Sequence, residues 1–412
     1  MSFIIREYRN FVPRVSLLLL LTSVLLLTAA SAQESDQARS REVLGSLQAE
    51  LWGADSVNGG GAPLRVRVYN ANGKRISQLV KAFPELRMVY LHPTKDLRAD
   101  DFRHLKSLPD LKTLWVTGFL TDDYATVIAE LTTLEELRTY VRGQMDEHDL
   151  IELKGLAHLK TLHLGVGFDT YSPSDDRLGA SVIGLFSQLE ELSLNNASVS
   201  DNSINAASRI TNLKCLRLSG GDGVSKNGYR PLERLRNLET LQFYMPRSDD
   251  AVAYLESLSA LRELEGLPDI TDTGMLTVAR IQSLKRLHNV TSGEITDESW
   301  SHMGELSDLE SLELHSPKIN GSGISEMRPL KKLKRLNLRH TEFHAKYIDS
   351  LLKFRALESL DLGCTKVEDS DWESLVVLKQ LPRLLKLSVE LSEPNRLKLQ
   401  GMLPNVVVTF LE

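Results

Sequence analysis

The chain has 412 residues, a quarter of them charged and 6% aromatic, with a formal net charge of −6. These are the fractions of a soluble globular protein. A mildly acidic body argues against nucleic acid or an anionic membrane as the main partner.

The first element reads as an export signal, with an uncleaved membrane anchor as the competing reading. Arg6, Arg9 and Arg14 precede the apolar run Val15–Ala30, and Ala30-Ser31-Ala32 follows. That is a charged n-region, an apolar h-region and a small-x-small cleavage site. The run is about 16 residues, short of the ~20 that span a bilayer. Residues 1–32 are therefore expected to be a signal peptide cleaved after Ala32. The mature chain is then exported (periplasmic, cell-surface or secreted), with no membrane insertion after cleavage. No Cys follows the site, so a lipoprotein anchor is not indicated.

Residues 33–62 form a polar N-terminal segment. Gln33–Gly53 spells a short amphipathic helix through Leu44, Leu47 and Leu51, which fits a cap, and Gly59-Gly60-Gly61 reads as a hinge. Leu64–Val68 with Ile76 and Leu79 then reads as a degenerate first repeat.

Residues 63–412 are a repeat domain. The pattern L-x-x-L-x-L opens at Leu86, Leu111, Leu134, Leu159, Leu189, Leu213, Leu238, Leu261, Leu284, Leu309, Leu333, Leu357 and Leu384. The steps run from 23 to 30 residues. A lone match would mean nothing in a leucine-rich chain, but regular recurrence marks a repeat architecture. In Leu309–Asn320 (LESLELHSPKIN), Leu312 and Leu314 alternate with polar residues, which suits a short strand with one buried face. Ile319, Ile324, Met327 and Leu330 follow at helical spacing and can pack on the same core. One unit cannot bury its apolar face alone, so units stack and share a continuous core. Asn405–Phe410 (NVVVTF) reads as a closing strand.

The sequence here resembles the leucine-rich repeat family, in particular its ribonuclease-inhibitor-like, cysteine-containing class. Leu120-Thr-Asp, Val199-Ser-Asp, Ile270-Thr-Asp-Thr-Gly and Ile295-Thr-Asp-Glu-Ser carry the likeness, since Thr/Ser-Asp opens the convex-side helix in that class. The chemistry fits, because Ser, Thr and Asp are preferred helix N-caps. The resemblance implies an α/β leucine-rich repeat solenoid, or horseshoe, of about 13 repeats, with a parallel β-sheet on the concave face and helices on the convex face. The array is divergent: its ninth places hold Thr94, Phe119, Pro317, Thr341 or Thr365 where the family usually has Asn or Cys. Exported arrays of this kind without cysteine-rich caps resemble bacterial members.

Cys215 and Cys364 stand six repeats apart. At ~4.8 Å per strand that is about 29 Å, against the roughly 7 Å a disulfide tolerates between Cα atoms. They are not expected to bridge.

The third and fifth places of each strand point to the concave surface, where the resemblance puts ligand binding. The second and third places alternate in sign from rung to rung, through Lys112, Glu135 and Glu136, Lys160, Glu190 and Glu191, Lys214, Glu239, and on to Glu310, Lys334 and Glu358. Opposite charges on adjacent strands attract, so this reads as a register-fixing ladder. The fifth places begin Tyr90, Trp115, Arg138 and His163, joined by His92 and Tyr140 at the strand exits. The long loop Gly165–Arg177 adds Phe168 and Tyr171. Exposed Trp, Tyr and Arg are hot-spot residue types. These eight residues are the candidate ligand-binding set; the competing reading is that the rings cover the N-terminal core or pack on the loop.

His288, His315 and His340, with Asp361, occupy successive repeats but at different strand places, and are expected to diverge rather than converge on a metal. No nucleophile motif, H-E-x-x-H or P-loop occurs. Catalytic residues, metal sites and cofactors are therefore expected to be none. The function expected is an exported non-catalytic binding protein acting through its concave face on an unknown protein or glycan ligand, without nucleic acid. The alternative is an intracellular ubiquitin-ligase-type substrate-recognition adaptor, which the signal peptide and the lack of an F-box-like segment in residues 33–62 disfavour.

Overall fold

The computed structural model describes residues 40–52, 64–119, 124–142, 147–166, 183–195, 199–220, 224–244 and 249–409. The chain divides into two compact units, Met1–Val141 and Arg142–Glu412.

The first unit begins with a helix over 40–46 and a short strand, β1 (Ala49–Leu51), which runs antiparallel to β2 (Arg65–Ala71). Parallel strands β3 (Met88–Pro93) and β4 (Thr113–Phe119) follow in order, then β5 (Glu136–Arg142) at the end of the unit. Alternation sends Val66, Val68, Val89, Leu91, Leu114 and Val116 inward, all buried. Leu44 and Leu47 close the same core from the N-terminal side. The helix Gly73–Ala82 covers it with Ile76, Leu79 and Val80, and is capped by Asn72, whose side chain accepts from the Arg75 amide at 3.0 Å.

The second unit holds β6 (Thr161–Val166), β7 (Glu191–Asn195), β8 (Cys215–Ser219), β9 (Thr240–Tyr244), β10 (Glu263–Glu265), β11 (Arg286–Thr291), β12 (Ser311–His315), β13 (Arg335–Asn337), β14 (Ser359–Asp361), β15 (Lys386–Ser388) and β16 (Val407–Thr409), hydrogen-bonded in chain order. Each neighbouring pair is parallel. Every opening leucine read from the sequence precedes one of the strands β3 to β15, so both units are stacks of leucine-rich repeats.

The helical side mixes short α-helices with 3-10 segments such as Ala345–Lys353. The Thr/Ser-Asp pairs join repeats as well as capping helices. Ser200 and Thr271 are N-caps, accepting from the Ser203 and Thr273 amides. The aspartate that follows bonds the next repeat: Asp272 accepts from the Thr296 amide (2.9 Å) and hydroxyl (2.7 Å) and from Ser299 Oγ. Asp201 does the same for Ser225, and Asp249 for Thr271. Gly274 makes room for this bridge, since a Cβ there would lie 2.3 Å from Asp249 Oδ1.

Hydroxyl side chains at or beside the ninth place substitute for the missing asparagines. Ser292 and Ser316 are buried and donate to the previous repeat's carbonyls, Ile270 (2.5 Å) and Ile295 (2.6 Å). Thr341 and Thr365 donate to carbonyls of their own turns, each at 2.7 Å.

The two outermost sheet edges are finished differently. Strand β1 covers the edge of β2. At β16 the side chain of Gln400 does the work of a strand: Oε1 accepts from the Val408 amide (3.0 Å) and Nε2 donates to the Val406 carbonyl (2.8 Å). A blunted edge resists pairing with other chains. Cys215 and Cys364 form no disulfide. Among the described residues no helix is long and apolar enough to cross a membrane.

Candidate functional site

The outward face of the first unit carries a connected aromatic and guanidinium cluster. The in-register sequence Arg67, Tyr90, Trp115 crosses β2, β3 and β4 between inward-facing valines and leucines, so all three side chains emerge on one face. Tyr90 and Trp115 meet edge to face, with centroids 5.6 Å apart. Arg138, from β5, lays its guanidinium over Trp115 at 4.3 Å. Glu136 accepts from Trp115 Nε1 (3.1 Å) and pairs with Arg138. His92 packs on Tyr90 (4.4 Å), stacks with Tyr69 (5.2 Å) and shares a hydrogen bond with Thr117 (2.9 Å). Burial, reinforced by the Arg67 charge, lowers the pKa of His92 and favours its neutral form.

Trp52 completes the cluster. It follows β1 directly, yet its ring lies 5.1 Å from Tyr90 and 4.6 Å from Trp115. The Arg67 guanidinium is held against both Trp52 (5.0 Å) and Tyr90 (4.9 Å). Glu50 then fixes Arg67 at 3.5 Å and accepts from the Tyr69 hydroxyl at 2.7 Å. Arg67 Nε is buried without a hydrogen-bond partner. Cation–π contacts of this kind contribute about 0.5–2 kcal/mol each.

The structure thus brings Tyr90, His92, Trp115 and Arg138 into one cluster, with Tyr140, on the same strand as Arg138, 42% exposed. His163 departs from the expectation of a solvent-facing ring. It belongs to the second unit and is only 3% exposed, with its ring bonded to the Glu191 carboxylate. Phe168 and Tyr171 lie outside the described residues. Three contributors escaped the sequence reading. Trp52 sits outside the repeats, and Arg67 and Tyr69 sit in the repeat that lacks the leucine pattern. The alternation of LRVRVY was the available signal for the last two.

The outward face of the second unit has a different character. His163 Nε2 bonds Glu191 Oε1 at 2.6 Å, and Arg217 pairs with the same carboxylate. The His163 hydrogen bond and the Arg217 charge hold the Glu191 carboxyl down at about 2, against the opposing effect of burial. Further along, Glu265 accepts from Gln242 (2.7 Å), Asn289 (2.7 Å) and the Tyr244 hydroxyl (2.5 Å). The alternating charges pair across rungs as expected: Glu190 with Lys214 (2.6 Å), Glu263 with Arg286 (2.6 Å) and Glu310 with Lys334 (2.8 Å). The same occurs in the first unit between Lys112 and Glu135 (3.0 Å).

The histidines diverge only in part. His288 turns to Ser311 (2.8 Å), whereas His315 and His340 meet edge to face at 6.0 Å. His340 reaches this contact in a left-handed conformation (φ 59°) just after β13. Among the described residues no group of three or more His, Cys, Asp or Glu is placed to hold a metal ion.

No family model and no curated protein matches the sequence. Among solved structures the chain is similar to a leucine-rich repeat protein of Leptospira interrogans, with TM-score 0.55 and 17% identity over 88% of this chain and 94% of that one. It also matches an internalin of Listeria monocytogenes (TM-score 0.47, 19% identity, 90% and 94% covered). A third match is a structure of the Rad7–Elc1 complex in yeast (0.49, 20%, 96% and 97%). At such identities likeness shows the fold alone, and the Leptospira structure carries that point. The fold is that of the leucine-rich repeat proteins.

Proposed function

We propose that this chain is an exported, non-catalytic binding protein, a divergent bacterial relative of the ribonuclease-inhibitor-like class. Its ligand is a protein, held on the outward face of the first unit. The observation that carries this reading is the Tyr90–Trp115 pair with Arg67 and Arg138 stacked on its rings. Large rings and guanidinium groups give much contact area for little conformational entropy, which is why they dominate binding hot spots. Function has to be argued from such a site, because the scaffold alone specifies none.

The test has two arms. Intact mass of the native protein from each cell fraction checks export: a chain beginning at Gln33 outside the cytoplasm is expected, and a full-length soluble cytoplasmic chain would revive the adaptor reading. Crosslinking capture from the extracytoplasmic fraction then compares native protein with Tyr90→Ala/Trp115→Ala. The double variant is expected to lose the partner; undiminished capture would place the ligand elsewhere, and capture abolished by glycosidase treatment would make it a glycan.

A further inference from the structure

The patch already has an occupant from its own chain. Glu50-Leu51-Trp52 lies along the outer edge of β2, with Trp52 N donating to the Arg65 carbonyl (3.1 Å) and Tyr69 N donating to the Gln48 carbonyl (2.8 Å). The carboxylate of Glu50 is seated on Tyr69 and Arg67. The indole of Trp52 is seated on Tyr90, Trp115 and Arg67. No residue of the tripeptide is fully buried: Glu50 is exposed, and Leu51 and Trp52 are half-buried. The residues that anchor this end in the core, Leu44, Leu47 and Ala49, all precede it. The hydrophobic anchor of this end therefore does not depend on residues 50–52.

Resting on the reading that this face is the ligand face, we propose that it recognises an extended segment of a partner protein carrying an acidic residue two positions before a tryptophan, and that Glu50-Leu51-Trp52 is the built-in competitor. Displacing residues 50–52, the partner strand would add to the stretch of the β2 edge that they now cover, a recurrent mode of peptide recognition in which backbone pairing supplies affinity and alternate side chains supply specificity. The acidic residue would take the Arg67 and Tyr69 seat, and its tryptophan the Tyr90 and Trp115 seat. A tethered occupant acts at an effective concentration in the millimolar range, so native protein binds such a segment weakly until the tether is outcompeted.

The experiment uses the full mature chain and a fluorescein-labelled peptide, SLQAELW, which is the sequence of residues 46–52. Two control peptides replace its glutamate by glutamine or its tryptophan by alanine. Anisotropy titrations compare native protein with Trp52→Ala. The expected result is peptide binding to Trp52→Ala at least about tenfold tighter than to native protein, from loss of the tethered competitor, with both control peptides weakened by a similar factor. Equal binding of all three peptides to Trp52→Ala, or no gain over native, would overturn the proposal. Should Trp52→Ala fail to fold, Glu50→Gln loosens the same segment through its polar seat alone, and the same gain and peptide order are expected on a smaller scale; their absence overturns the proposal equally. Partner capture that survives Tyr90→Ala/Trp115→Ala would remove the function reading and this inference with it, whereas capture lost in that variant with no peptide selectivity would overturn this inference alone.

Discussion

The two outward faces are built on the same strand geometry and do opposite things with it. In the second unit nearly every charge named above has a counter-charge or hydrogen-bond partner on the next rung: Glu190 with Lys214, Glu191 with His163 and Arg217, Glu263 with Arg286, Glu265 with Tyr244 and Asn289. A surface that satisfies itself in this way offers a ligand little, because binding must first break what is already paired. In the first unit the same places hold rings and stacked guanidinium groups, and Arg67 Nε lacks a partner. Regular pairing holds register; its interruption by Tyr90, Trp115 and Trp52 marks the place to look for recognition.

Four measurements sharpen or break this contrast. The largest effect is expected for Trp115→Ala, which removes contacts to Trp52, Tyr90, Arg138 and Glu136 at once. It should cost about 2–3 kcal/mol in chemical denaturation, less than a fully buried Trp, and should abolish partner capture. Next comes Glu191→Gln, at about 1–2 kcal/mol near neutral pH, from losing a charge-assisted pair with His163 and Arg217. Because the Glu191 carboxyl is held at about 2 against an ordinary 4.5, its contribution is present above pH 4.5 and lost as pH falls toward 2. The native melting temperature should therefore fall more steeply over that window than that of Glu191→Gln, with partner capture unaffected in the variant. Trp52→Ala should cost about 1 kcal/mol, since the half-buried ring leaves an open surface that water can fill. The smallest effect belongs to Lys214→Ala/Lys334→Ala, whose exposed pairs contribute little: no measurable change in melting temperature or capture is expected. A ladder variant that lost more stability than Trp115→Ala would break the contrast.

Much of the scaffold was legible because the chain repeats its spelling. The L-x-x-L-x-L spacing located β3 to β15, and sign alternation at Lys214, Glu190, Lys334 and Glu310 foretold their pairing. The site was legible only in part. Tyr90, Trp115 and Arg138 follow from strand alternation, since residues between buried leucines must face outward. Trp52 does not, because an antiparallel strand added from outside the repeats leaves no periodic trace, and its partner Arg67 sits in the repeat with the weakest pattern. His163 shows another limit: its position faces outward, yet its ring is buried and bonded to Glu191 on the next strand. Alternation predicts which way a side chain leaves the sheet, not what covers it. Asp272 shows the same limit on the helical side, where the Thr-Asp pair predicted the cap that Thr271 makes but not the tie from the aspartate to the next repeat.

The placement of recognition on the first unit is tested most directly by hydroxyl-radical footprinting of the protein with and without its crosslinked partner. Three tyrosines report by position: Tyr69 and Tyr140 on the first unit, 38% and 42% exposed, and Tyr244 on the second, 46% exposed. Protection of Tyr69 and Tyr140 with Tyr244 unchanged is the expected result. Protection of Tyr244 alone would contradict it and move the ligand to the paired, polar face.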